Sequence, residues 1–84
     1  MKGVILTEHA RYQMRERKID RTVVIKTLVQ PDKTRIQPSG RKEAVRRITR
    51  NSKPYCAIVI YEETPEQYRV ITIFISSKLK KYLS

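Results

Sequence analysis

One cysteine, one histidine, one phenylalanine and no tryptophan among 84 residues remove several chemistries at once. A lone Cys56 has no intrachain disulfide partner, and between Tyr55 and an apolar run it reads as a buried, inert thiol. That isolation fits a reducing, cytoplasmic setting. His9 and Cys56 are single examples of their types, so no zinc-ligand spacing exists. The clustered carboxylates Glu62, Glu63 and Glu66 fall on a hairpin tip and do not resemble a metal site. Neither a metal nor an organic cofactor is expected. Gly3 and Gly40 are the only glycines, which leaves no Gly-rich phosphate loop. The apolar lead-in Val4–Leu6 is too short for a signal peptide, and no stretch approaches the roughly 20 apolar residues of a membrane span.

Negative charge is scarce as well. Eight acids face nineteen lysines and arginines, for a formal net charge of +11. Three of the acids crowd between Glu62 and Glu66, so the surface elsewhere is expected to be basic. Between Arg41 and Lys53, six cations (Arg41, Lys42, Arg46, Arg47, Arg50 and Lys53) meet a single acid, Glu43. Such a block repels itself unless an anionic partner offsets the repulsion. Phosphate is the commonest partner of that kind, so RNA or DNA is the expected ligand. The competing reading is a solvated face that only aids solubility.

The chain suits one domain over residues 1–84, with a modest core burying roughly 60% of the unfolded surface. Gly3 to Leu6 is a short apolar lead-in that a strand could accommodate. Thr7 as N-cap and Glu8 in the first turn predict a helix to about Arg17. At about 100° per residue, Ala10 and Met14 face inward, Arg11, Arg15 and Lys18 form a basic stripe, and His9 and Gln13 occupy the other flank. Asp20 caps a second helix from Arg21 to about Val29, which ends before Pro31. Strands follow at Thr34–Gln37, Glu43–Thr49, Tyr55–Tyr61 and Tyr68–Ile75, with a turn at Pro38–Gly40 and a loop at Asn51–Pro54. The tail from Lys78 to Ser84 is either one helical turn or disordered. The expected fold class is α+β, two N-terminal helices packed on one face of an antiparallel sheet of about four strands.

Metal-free RNA cleavage needs a base for the 2′-hydroxyl proton, a cation for the crowded phosphate and an acid for the leaving oxygen. His9 is the candidate for either proton task, since imidazole exchanges protons near neutral pH; a structural role bridging helix and sheet is the alternative. Arg41, Arg46 and Arg47 are candidate phosphate clamps, because guanidinium binds phosphate bidentately. Strand alternation forbids Arg46 and Arg47 from facing the same side. Tyr82, in the basic tail, could stack on a base or donate a proton. Arg11, Arg15, Arg17, Lys42, Arg50, Lys80 and Lys81 complete the candidate nucleic-acid-binding set. A non-catalytic module holding nucleic acid by charge and stacking remains open beside the nuclease.

Thr7-Glu8-His9-Ala10, followed by Met14, Arg17 and Ile19, then Gly40-Arg41 before a strand and two paired apolar strands, resembles a small prokaryotic family of domains of unknown function. That family is similar to the RelE/ParE-like toxins of the barnase-, colicin- and RelE-type ribonuclease folds. The resemblance implies two helices on a curved antiparallel sheet, a metal-independent endoribonuclease or ribosome-dependent mRNA interferase, and an antitoxin partner. It also admits a ParE-like inhibitor of a protein target. His9 matches the family's helix histidine, Arg17 its helix-ending arginine, Arg41 the Gly-Arg arginine, and Tyr82 resembles a C-terminal tyrosine of RelE-like enzymes. Gln13 departs from the pattern where an arginine often stands. Lys18 departs where glycine commonly ends the helix, and a left-handed lysine there costs about 1 kcal/mol.

Overall fold

A computed structural model describes residues 2–84. Strand β1 (Gly3–Leu6) leads into helices α1 (Glu8–Glu16) and α2 (Arg21–Val29). Strands β2 (Lys33–Ile36), β3 (Lys42–Arg50), β4 (Lys53–Glu63) and β5 (Gln67–Ser76) follow, and a short helix α3 (Leu79–Leu83) closes the chain. All five strands join one sheet in the order β1-β5-β4-β3-β2.

The expected four-stranded antiparallel, RelE/ParE-like sheet under two N-terminal helices is therefore not the architecture adopted. The sheet is mixed and five-stranded, because the lead-in pairs parallel with β5, Gly3 opposite Gln67 and Leu6 opposite Val70. A local hydrophobic pattern carries no sign of a partner more than sixty residues away, which is why the lead-in could be read as a strand but its place in the sheet could not. The helices also differ in placement. α1 and α2 lie between the first and second strands and pack on β5, β4 and β3, while α3 packs on the opposite face against β4 and β3.

Two apolar clusters result. Ala10, Ile19, Val24, Leu28, Ala44, Val59, Val70 and Ile73 fill the layer beneath α1 and α2. Val45, Cys56, Ile58 and Ile60 form the other, covered by Phe74, Leu79, Tyr82 and Leu83. Leu79, Tyr82 and Leu83 sit three and four residues apart, so five residues suffice to present one apolar stripe. Lys33 Nζ and Arg35 Nη2 donate to the Ser84 carbonyl and hold the end of that helix to β2. Every residue of β4 from Cys56 to Tyr61 is buried, as expected for a central strand covered on both faces. The expected loop at Asn51–Pro54 contracts to a two-residue turn, Asn51 and Ser52, both with positive φ (52° and 64°), matching the twist of a tight hairpin.

Candidate nucleic-acid interface

Helix α1 is fastened to a bulge in β5. Register slips between Ile60 and Tyr61, whose partners are Thr72 and Val70, so Ile71 is left over. Thr7 Oγ1 accepts the Ala10 N–H (3.2 Å) as N-cap and donates to the Ile71 carbonyl (3.1 Å). One turn later Gln13 Oε1 accepts from the Thr72 hydroxyl (2.6 Å) and the Ile73 N–H (3.3 Å). The glutamine that departs from the family pattern thus clips the helix to the sheet.

With Gln13 turned to the sheet, Arg11, Met14, Arg15 and Lys18 face the opposite flank. The helix ends in a Schellman motif: Ile19 N–H donates to Met14 O (2.8 Å) and Lys18 N–H to Arg15 O (3.3 Å). Lys18 occupies the left-handed position, φ 52°, where glycine is favoured. The chain then reverses into α2 and brings Arg21 back beside the α1 stripe.

Between these elements lies a hollow of about 520 Å³. Leu6, Met14 and Ile19 supply apolar floor; Arg11, Arg15, Lys18 and Arg21 supply cations, with Asp20 the sole carboxylate of the lining. A second hollow of about 190 Å³ continues from Lys18 and Ile19 over Val23, Ile48 and Ile75 to Arg50. A third extends past Thr22 and Lys26 to Arg46. The cations of the first two hollows, Arg11, Arg15, Lys18, Arg21 and Arg50, have no ion-pair partner among the described residues.

The other end of the molecule is different. Glu62 takes Arg69 (2.8 Å) and Arg41 (3.5 Å), Glu63 takes Lys2 and Lys42 (2.9 Å), and Glu43 takes Arg35 (2.8 Å). Arg69, and then Arg41, holds the Glu62 carboxyl below its ordinary range; Lys2, and then Lys42, does the same for Glu63. Glu63 in turn pushes the Lys42 ammonium up. At the acidic hairpin, two carboxylates thus engage four cations in ion pairs. Burial pushes both the Cys56 thiol and the Tyr61 phenol up, consistent with packing roles.

The sequence candidates therefore scatter. Arg11, Arg15 and Arg50 reach the first two hollows, and Arg46 and Arg47 border the third. Arg50 Nη2 also donates to the Arg17 carbonyl (3.2 Å), and Arg46 Nη1 to the Gln30 carbonyl (2.7 Å), so both brace helix C-termini. The Arg17 side chain is exposed beside that contact. Arg47 pairs with Cys56 and leaves β3 on the α3 side, opposite to Arg46, while its N–H donates to Asp32 (2.7 Å). Arg41 and Lys42 are held by glutamates. Tyr82 packs edge-on to Phe74 (5.9 Å) beneath α3, with Lys81 Nζ 5.3 Å from its ring; Lys80 is exposed nearby.

His9 is exposed, on the flank of α1 turned away from Arg11 and Arg15, and makes no hydrogen bond among the described residues. It bridges nothing. Nor does it share a surface with Arg41, Arg46 or Tyr82: α1 lies over β5 and β1, and β3 is two strands, about 10 Å, away. Arg21 and Lys18 are the cations of the first hollow missing from the sequence candidates. Their spacing after Arg11 and Arg15 was visible, but only the reversal at Lys18–Asp20 puts Arg21 in the same hollow.

No group of three or more His, Cys, Asp or Glu among the described residues could hold a metal ion, and no helix is long and apolar enough to cross a membrane. A family model described as a domain of unknown function (DUF4258) matches residues 6–75. No curated protein and no solved structure matches the chain.

Proposed function

The chain belongs to the DUF4258 family of domains of unknown function, and from its geometry we propose that it binds RNA through the cationic hollows along α1, the α1–α2 turn and the end of β3. One observation carries the reading: Arg11, Arg15, Lys18, Arg21 and Arg50 line two joined hollows without an ion-pair partner among the described residues, while the cations of the hairpin end are drawn into ion pairs with Glu62 and Glu63. Five like charges brought together on a folded surface favour a polyanion that releases its counterions on binding. Fluorescence anisotropy with labelled RNA tests it. A single strand lying on all five cations gives log K falling against log salt with a slope of about −3.5. Binding that ignores salt, or that survives Arg11→Ala with Arg15→Ala unchanged, overturns the reading. An acidic protein of the antitoxin kind would compete for the same cations and displace RNA in that assay.

A toxin-like, metal-independent endoribonuclease is the second reading, favoured by one feature: His9 is exposed in the first turn of α1 with no structural bond to explain it. In that chemistry the imidazole takes the 2′-hydroxyl proton, the 2′-oxygen attacks phosphorus and the P–O5′ bond breaks; the imidazolium returns a proton, directly or through water, to the 5′-oxygen, which departs as a hydroxyl and leaves a 2′,3′-cyclic phosphate. RNA would have to cross from the hollows to the far flank of α1 and bring its own surroundings, a ribosome included, to complete the site. Incubation with free RNA and with translating ribosomes at matched salt decides between the two. Scission abolished by His9→Ala supports the nuclease; RNA retained intact by both proteins, with equal affinity, leaves the binding module alone.

A further inference from the structure

We propose that the hollows hold consecutive unpaired nucleotides, each base laid on an apolar floor and its phosphate on the cationic rim, so that single strands are the preferred ligand. The inference rests on the RNA-binding reading and adds the strand state. Its basis is the two-toned lining, which occurs twice. In the larger hollow Leu6, Met14 and Ile19 lie inside a rim of Arg11, Arg15, Lys18 and Arg21. In the next, Val23, Ile48 and Ile75 lie between Lys18 and Arg50. Inorganic phosphate or a sulfated chain would satisfy the rim and leave the floor uncovered. A nucleotide satisfies both, because it carries a flat weakly polar ring a short distance from a negative charge.

Strand state follows from which surfaces a nucleic acid offers. A duplex stacks its base faces inside and presents phosphates, sugars and base edges, none of which covers an apolar floor. An unpaired strand can turn a face outward. The larger hollow, at about 520 Å³, is in the size range of a small-molecule site of roughly 300–1,000 Å³. No aromatic ring lines either of the two hollows; the Met14 thioether and the arginine planes offer the polarisable surfaces for a base instead. Lys18 belongs to both hollows, at the point where one nucleotide gives way to the next.

Three probes of equal length test this: a uridine single strand, the same strand in a duplex, and an abasic single strand with the same phosphates. The base-bearing single strand binds roughly tenfold tighter than the abasic one, one stacked base being enough for that difference, and tighter than the duplex. Equal affinity for all three overturns the strand-state inference and leaves binding by the cations standing. Failure of all three to bind overturns the reading beneath it. A 4-thiouridine strand, photocrosslinked and digested, labels the peptide containing Met14. A crosslink confined to the Tyr82 peptide places the base on the other face of the sheet and also overturns the proposal.

Discussion

The two ends of this sheet are built from the same residue types and behave in opposite ways. At the β4–β5 hairpin, Glu62 and Glu63 gather Arg41, Arg69, Lys2 and Lys42 into ion pairs. At the α1–α2 turn, Arg11, Arg15, Lys18 and Arg21 stand around a hollow with Asp20 as the only acid. The segment from Arg41 to Lys53 carries a larger excess of cations over acids than the stretch from Arg11 to Arg21, yet much of it serves the fold. Arg41 and Lys42 pair with glutamates, Arg46 braces a helix end, and Arg47 leaves by the other face; Arg50 braces the end of α1 and also lines the second hollow. Charge density along a sequence and charge available on a surface are separate quantities.

Reversing charge at each end is the sharpest way to break that contrast. Arg11→Glu with Arg15→Glu lowers RNA affinity by roughly a hundredfold at moderate salt, and neutral alanines at the two positions reduce the salt slope by about 1.4. Arg41→Ala changes affinity by less than about twofold, because that guanidinium already has its anion. Comparable losses at both ends would erase the distinction.

Gln13→Ala strikes the support of the basic end rather than its charge. It leaves the Thr72 hydroxyl and the Ile73 N–H short of an acceptor in a partly buried seam, costing about 1–3 kcal/mol in urea denaturation. Lys18→Gly separates stability from binding. Relief of the left-handed backbone raises stability by about 1 kcal/mol, while RNA affinity falls several-fold with the loss of the shared cation. A variant that gains stability and keeps full affinity would remove Lys18 from the interface.

The smallest expected effect lies in the pH dependence of the hairpin end. The folded protein holds Glu62 and Glu63 below their ordinary value of 4.5, so around that pH it binds fewer protons than the unfolded chain. Their contribution is complete at neutral pH and is lost as the pH falls below 4.5 through the folded-state values. Glu62→Gln with Glu63→Gln flattens the acid side of a thermal-stability profile. A steeper acid decline in that variant would contradict the assignment.

Local signals made part of this structure readable. Thr7 and Asp20 marked the starts of α1 and α2, Pro31 the end of α2, and the β-branched runs the two central strands. The helical wheel already separated His9 and Gln13 from Arg11 and Arg15. What stayed hidden was non-local. The parallel pairing of Gly3–Leu6 with β5 depends on a partner at the other end of the chain, and α3 gains its order from the apolar face it covers and from Lys33 and Arg35 at its end. The loss of Arg41 as a phosphate clamp depends on hairpin register, and the gain of Arg21 on a reversal held by three residues, Lys18 to Asp20.

Backbone amide NMR during titration with a uridine single strand puts the contrast between the two ends to its most direct test. Shifts concentrated on Arg11 to Arg21 and on Ile48 to Arg50, with Glu62 to Arg69 and Arg41 unmoved, are expected. Shifts centred on the hairpin end, or on the α3 face around Tyr82, would show that the unpaired cations are not where RNA binds.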